Sequence, residues 1–314
     1  MTTAVARDSI RAPQRMGDRI FSTATVVAGS LILAVLAAVA VFLLLQSLPA
    51  FVATPDDFRG EFSNFWSYVW PLAFGTLWSA FLALLIAVPL AIGIALFISH
   101  YAPRKLSQGL GYIIDLLAAV PSVVFGLWGI GVLAPLLQPF YTSLVEWFGW
   151  IPLFAGPVSG TGRTVLTVAI VLAVMVLPII TAICREIFLQ TPVLYEEASL
   201  ALGATRWEMI AMAVLPFGRS GIISASMLGL GRALGETMAV AMVLSPSPQV
   251  IFQLLTSQNP TTIAANIALN FPEAHGTGVS ILLATGLVLF VITLAVNMIA
   301  RLIINRRKAF SGAN

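Results

Sequence analysis

Charged side chains are scarce in this sequence, since Asp, Glu, Lys and Arg make up only 9% of its 314 residues. Soluble globular domains usually carry about 25%, so water is not the main solvent of this chain. Hydrophobic residues reach 59%, which is more apolar surface than one compact core can cover. We therefore predict a membrane protein whose remaining apolar surface is covered by lipid.

Residues that build catalytic and metal sites are also scarce. The one cysteine, Cys184, excludes an internal disulfide and a cysteine-based metal cluster. The two lysines stand in no G-x-x-x-x-G-K-[ST] phosphate loop, and His100 and His275 belong to no H-E-x-x-H pair. We therefore predict no catalytic site and no cofactor, and we expect both histidines to lie in interfacial loops. Energy for uphill transport would have to come from another chain or an ion gradient.

Six apolar segments are long enough to cross about 30 Å of hydrocarbon at about 1.5 Å per residue. The first has about 25 uncharged residues, which is longer than the core of a signal peptide. We expect it to be retained, although residues 47–53 have the composition of a cleavage region. Prolines at 89, 121 and 178 should bend three of the helices. The expected spans are 20–46, 71–99, 106–137, 164–188, 220–244 and 278–304.

The positive charges indicate an orientation. With the N-terminus placed in the cytoplasm, 13 of the 16 Lys and Arg residues fall on that side. Arg59 and Arg163 fall outside, and Arg232 lies within a span. This bias predicts that both termini are cytoplasmic, and it explains the net charge of +3 without a nucleic-acid partner. The outer segments, at about 47–70, 138–163 and 245–277, should form surface or re-entrant helices that dock a partner or cap the bundle.

The longest cytoplasmic connection has the pattern helix, glycine, helix. Pro192 should open the first helix, Glu196 and Glu197 favour its positive end, Gly203 suits a left-handed turn, and Pro216 should end the second helix. The hairpin has more apolar residues than an isolated loop needs, which indicates a surface that binds a partner. These apolar residues are Leu200, Leu202, Trp207, Met209 and Ile210.

Span five contains two charged residues. Arg232 lies 12 residues from each end of the expected span, about 18 Å at helical rise, where an isolated charge costs at least about 2.5 kcal/mol. Glu236, four residues later, should share its helical face. Two interpretations remain open: a passing oxyanion competes with Glu236 for the Arg232 guanidinium, or the two residues form a structural ion pair. Nearby small residues, among them Gly229, Gly231 and Gly235, would allow close packing against a helix of another chain.

The hairpin resembles the E-A-A-x3-G-x9-I-x-L-P signature of ABC importer permeases. Ser199 and Ala213 depart from the signature. The resemblance implies the type I ABC importer permease fold, and a coupling loop, about 191–218, that docks on a cytoplasmic ATPase. The matching residues are Glu197, Ala198, Gly203, Leu215 and Pro216.

Three further strings resemble phosphate permeases of the PstC type: AVPLAIGIALFISHYAP, IDLLAAVPSVVFGLWGIGVLAP and GRALGETMAV. In that family the arginine and glutamate of the last string are important for phosphate passage, which here implies Arg232 and Glu236. Asp115, in the second string, would be a third intramembrane charge. It could tune the cytoplasmic gate or have a structural role, at a helix end or paired with an arginine.

The resulting expectation is an all-α, polytopic protein of the prokaryotic inner membrane. Residues 1–18 and 306–314 would be cytoplasmic tails, and residues 19–305 a six-helix permease domain. The resemblance implies phosphate as substrate and three partners: a second permease (PstA type), ATPase subunits (PstB type) and an extracytoplasmic phosphate-binding protein (PstS type). Alternatives are a permease for sulfate or molybdate, and a transporter or channel that works without an ATPase.

Overall fold

The computed structural model of the chain describes residues 15–58 and 62–308, with side chains described up to residue 302. Residues 1–14 and 309–314 of the two expected tails lie outside this range, as does the expected outer residue Arg59. The α-helices in the described part of the chain are α1 (Met16–Ser47), α2 (Phe65–Leu96), α3 (Arg104–Ala118), α4 (Ser122–Trp128), α5 (Ala134–Phe148), α6 (Val165–Leu189), α7 (Val193–Ala201), α8 (Arg206–Met209), α9 (Leu215–Leu234), α10 (Met238–Val243), α11 (Ile263–Asn270) and α12 (Thr277–Lys308).

Six of the helical segments are long and apolar enough to cross a membrane, which confirms the expected all-α, six-span architecture. Three segments contain a π-helical turn, at Phe97–Tyr101, Gly129–Leu133 and Ile210–Val214. The spans are Met16–Phe51, Phe65–Tyr101, Ser122–Phe148, Val165–Leu189, Arg206–Leu234 and Thr277–Leu302.

The third span differs from the expected 106–137. It begins at Ser122 and ends at Phe148, and the residues before it form α3, a separate and strongly amphipathic helix. Pro121 separates the two helices because it has no backbone N–H to continue α3 and disfavours a helical residue before it. Asp115 lies on α3, outside the six segments that are long and apolar enough to cross a membrane, and its expected place within the membrane stays a prediction.

The core is built around α6, which packs against α2, α9 and α3. Of the most apolar part of α6, 61% is buried, against 0% for α1, so α6 is central and α1 peripheral. Small side chains let α2 approach α6 closely, as is common between membrane helices. The buried alanines that form this face of α2 are Ala80, Ala83, Ala87, Ala91 and Ala95.

The segment after span five folds back over α2. Its strands β1 (Pro246–Ser247) and β2 (Asn259–Pro260) pair in parallel, and α11 packs on α2 and α12. The backbone N–H of Ile263 donates to the Thr76 hydroxyl of α2 at 2.9 Å. A Cβ at Gly75 would come within 2.6 Å of the Pro260 carbonyl oxygen, so glycine is required for this contact. α11 lies in the outer segment expected at about 245–277, and its first four residues are buried rather than exposed at the surface.

Candidate functional site

The chain leaves the helical conformation between Arg232, near the end of span five, and Glu236, which lies just beyond it. α9 ends at Leu234 and α10 begins at Met238. Glu236 is 8% exposed, and its Oε1 accepts a hydrogen bond from the backbone N–H of Ala239 at 3.1 Å. Glu236 thus caps α10 by satisfying an N–H that the helix leaves unpaired. The expectation that Arg232 and Glu236 share one helical face is wrong, because the helix ends between them.

Arg163 binds the other end of α10. Its Nε donates to the carbonyl of Val243 at 3.3 Å, and its Nη2 donates to those of Met242 and Leu244 at 3.2 and 3.0 Å. Carbonyls at the end of a helix carry partial negative charge, which a guanidinium stabilises. Sequence reasoning placed Arg163 outside but assigned it no role, since its acceptors lie about 80 residues later.

Arg232 lines a cavity of about 570 Å³ between α6, α9 and α12. Its side chain is partly buried, and it forms no ion pair with Glu236 or any other residue that the structure describes. A guanidinium without an internal partner is available to an anionic ligand. The other described residues of the lining are Ile179, Ser224, Met227, Leu228, Gly231 and Asn297.

The small residues of α9 are divided between two surfaces. A Cβ at Gly229 would come within 2.7 Å of Ile180 Cδ1 of α6, so this glycine permits packing within the chain. Gly231 has no atom near its Cβ position and lines the Arg232 cavity. Only part of the small-residue surface predicted from the sequence therefore remains open to another chain.

Asp115 is exposed on α3 and does not line the Arg232 cavity. No ion pair joins it to any residue with a described side chain, so the structure does not provide the arginine partner considered for it. The contact that fixes α3 lies one turn earlier, where the guanidinium of Arg185 from α6 covers Gly111. A side chain at position 111 would occupy the space of that guanidinium.

The loop between spans four and five forms the expected helix–glycine–helix hairpin. Gly203 separates α7 from α8 with a φ of +87°, a left-handed conformation that glycine adopts without strain. Thr205 and Glu208 form a capping box at the start of α8. Pro216 does not end the second helix as expected. It lies inside the continuous helical segment Arg206–Leu234, directly after the π-helical turn Ile210–Val214.

The hairpin exposes a set of apolar side chains beside a cavity of about 820 Å³, which Ala198 and Gly203 help to line. Leu202 is 91% exposed and Trp207 61%. The other matched residues of the signature also lie here, with Glu197 and Pro216 exposed and Leu215 packed on the core. Two residues expected on this surface, Met209 and Ile210, are instead buried and attach the hairpin to the bundle.

A contact that sequence reasoning missed joins the hairpin to span two. His100 Nε2 lies 3.4 Å from Glu196 Oε1 of α7, and His100 Nδ1 lies 2.6 Å from the Ser99 hydroxyl. The expectation that His100 lies in a loop is wrong, because it lies in the π-helical end of span two and connects that end to the hairpin. The apolar sequence around it gave no sign of a partner 96 residues away.

Comparison with known proteins identifies similar chains. Residues 87–309 match the family of binding-protein-dependent transport system inner membrane components. The chain is 47% identical over 302 residues, 93% of both chains, to the phosphate transport system permease protein PstC 2 of Mycobacterium bovis. It is 40% identical over 320 residues to the phosphate transport system permease protein PstC of Mesorhizobium japonicum, covering 98% of this chain and 96% of that one.

A solved structure shares the fold. It contains the MetNI methionine ABC transporter in inward-facing conformations, and the two chains superpose with a TM-score of 0.52. The superposition covers 76% of this chain and 94% of that chain at 16% sequence identity. At this identity the likeness concerns the arrangement of helices alone.

Proposed function

Because this chain belongs to the family of binding-protein-dependent transport system inner membrane components, we propose that it is the permease subunit of an ATP-driven phosphate importer. Its fold is that of a type I ABC importer permease, as the sequence motifs indicated, and its six apolar spans place it in the bacterial inner membrane. The proposal of phosphate as substrate rests on the 47% identity with a phosphate permease across 93% of both chains.

ATP hydrolysis on a separate cytoplasmic subunit is the second part of the proposal. The sequence has no phosphate-binding loop of its own, and its hairpin exposes Leu202 and Trp207 to solvent. Burying large apolar side chains against a partner is favourable by about 1.5 to 3 kcal/mol each. In our proposal the ATPase receives this hairpin, and the connected α9 carries its motion to the Arg232 cavity.

The translocation path runs, in this proposal, along the face of α9 that carries Arg232. A guanidinium matches the oxygens of phosphate, and this one has no internal partner among the described residues. The alternative, a structural pair with Glu236, has less support because that carboxylate caps α10 instead. A second permease would close the path, and an extracytoplasmic binding protein would deliver phosphate to it.

We further propose that both termini face the cytoplasm. The hairpin between spans four and five is then also cytoplasmic, where an ATPase can reach it. The excess of Lys and Arg on that side supports this orientation, and Asp115 would lie near the cytoplasmic ends of spans two and four.

Transport by the reconstituted assembly tests the function. The chain is co-purified with the second permease and ATPase subunits of its system, placed in vesicles together with the phosphate-binding protein of that system, and assayed for phosphate uptake with and without ATP. We expect uptake to require ATP, and Arg232→Gln to reduce it about tenfold or more through loss of a charge-assisted hydrogen bond. Arg104→Gln removes an exposed arginine at the start of α3 and is the matched control, with uptake unchanged.

Three outcomes would contradict the proposal. Uptake without nucleotide would indicate a transporter that needs no ATPase, and full uptake by Arg232→Gln would remove this residue from the path. Competition by sulfate or molybdate with no transport of phosphate would assign the permease to another oxyanion.

A further inference from the structure

The cavity beside Arg232 continues along α9 toward the hairpin. Ser224 lies eight residues before Arg232, which is about 12 Å along the helix, and both residues line the cavity. Asn297 of α12 lines it from the opposite side. Positions 224, 228 and 232 are one helical turn apart and therefore share one face of α9.

Asn297 is an unusual residue for its place in α12. It lies within the span Thr277–Leu302, is exposed, and has no hydrogen-bond partner among the side chains and backbone that the structure describes. An amide has two N–H donors and two acceptor sites, and leaving them unpaired in hydrocarbon costs several kcal/mol. Asn297 must therefore meet water, a solute or another chain in the cavity it lines.

Ser224 can supply a second donor. Its hydroxyl donates to the Ser220 carbonyl at 3.0 Å in the present conformation. The hydroxyl proton can rotate toward the cavity, because the serine side chain is exposed there. None of the described lining residues is acidic, so nothing in this part of the cavity repels an anion.

We propose that Ser224 and Asn297 form a second oxyanion-binding site, here called the station, between Arg232 and the hairpin end of α9. This inference rests on the proposed function and adds an inner step to the path. Arg232 binds the anion with a full charge, whereas the hydroxyl and amide offer neutral hydrogen bonds of roughly half the strength. Phosphate that leaves Arg232 remains hydrogen-bonded at this station without being held tightly, which favours release inward.

The rate at which a thiol reagent modifies introduced cysteines tests whether the station is hydrated and whether phosphate reaches it. The natural Cys184 is fully buried, so we expect it not to react with the thiol reagent, and it need not be replaced. In the complete transporter, Ser224→Cys and Asn297→Cys are each treated with an anionic, membrane-impermeant methanethiosulfonate. Ile299→Cys is the matched control, because residue 299 is exposed at nearly the same depth but on the opposite side of α12.

We expect residues 224 and 297 to react about tenfold faster than residue 299, since thiols ionise in water but not in lipid, and inorganic phosphate to slow both reactions. Rates equal to that of the residue-299 variant, or rates that phosphate does not change, would overturn the proposal. A dry contact between Asn297 and the second permease would give that result.

Transport measurements distinguish a direct contact between Asn297 and phosphate from a role of Asn297 in helix packing. Asn297→Leu should lower the phosphate transported per ATP hydrolysed about fivefold, the equivalent of one hydrogen bond. Asn297→Asp should lower it at least as much by repelling the anion, and Asn297→Gln should restore part of it because it keeps the N–H donors. Thr293→Val, one turn away, is the control, since that hydroxyl already donates to the Leu289 carbonyl at 2.8 Å.

The two hypotheses fail in different ways. If Arg232→Gln abolishes uptake while all Asn297 and Ser224 variants transport normally, the station is refuted and the importer function stands. If uptake is independent of Arg232 and of ATP, the importer function is refuted whatever the inner residues do.

Discussion

Glu236 has two properties that can be separated at the scale of a single residue: an oxygen that caps α10 and a negative charge beside the helix break. Glu236→Gln keeps the oxygen and removes the charge, whereas Glu236→Ala removes both. We expect Glu236→Ala to lower the free energy of unfolding by about 1 kcal/mol, the usual cost of a lost cap, and Glu236→Gln to lower it much less. Thermal unfolding in detergent measures the difference.

Uptake by the same two variants tests the charge. A path that requires the carboxylate predicts low uptake in both variants, while a purely capping role predicts normal uptake in Glu236→Gln. Equal destabilisation by the two substitutions would contradict the cap itself.

The charged residues around the end of α9 could be found from the sequence, but their geometry could not. Arg232 and Glu236 stand out because charges are rare in apolar segments. The break between them has no local signal that marks it, and the carbonyls that Arg163 binds at the end of α10 lie about 80 residues from it along the chain. Asn297 is a detectable signal, a lone amide in an apolar span, but it carries no charge and so does not stand out as Arg232 and Glu236 do.

The element most sensitive to backbone conformation is the hairpin. Gly203→Ala places a Cβ in open space but keeps a φ of +87°, which costs about 1 to 2 kcal/mol for other residues. We expect this strain to distort the hairpin and to reduce phosphate-stimulated ATPase activity in the complete transporter. Gly109→Ala is the matched control, because that site in α3 is equally open but has no positive φ, and alanine favours a helix by about 1 kcal/mol.

Normal stimulation in the Gly203→Ala transporter would mean that the hairpin tolerates a different turn. Equal loss in both glycine variants would point instead to a general effect on the bundle.

Helix boundaries show where averaging along the sequence fails. Apolar residues in and after α3 raise the average hydropathy, so this average predicts one span over 106–137. The structure divides this stretch at Pro121, with an amphipathic helix before it and a span after it. Periodicity distinguishes these two helices, whereas mean hydropathy does not. In the hairpin, by contrast, glycine and proline signals predicted the helix–turn–helix order correctly, and only the role of Pro216 was wrong.

At the scale of the whole molecule, the surface indicates a subunit of a larger assembly. The most apolar part of α1 is unburied, and the cavity with Arg232 and Asn297 opens on the side of the bundle. Lipid covers apolar side chains but cannot satisfy an arginine and an amide. We therefore expect the purified chain to unfold at a lower temperature alone than with the second permease, because binding to the folded state alone stabilises it.

The control is co-expression with an unrelated polytopic membrane protein, which should leave the unfolding temperature unchanged. Identical unfolding temperatures with and without the second permease would mean that this surface needs no partner chain and is satisfied by lipid alone.

Composition and hydropathy were sufficient to predict the six-span class of the molecule. The motifs were needed to predict its family, because many unrelated transporters share that composition.

The continuity of the fifth span has a mechanical consequence. From Arg206 to Leu234 the helical backbone is uninterrupted, so this segment can move as one rigid rod that joins the hairpin to Arg232. The backbone leaves the helical conformation just beyond it, around Glu236, and such a break can serve as a hinge. In the proposed transporter, a movement of the hairpin would therefore tilt the whole rod about this hinge while α10 keeps its place.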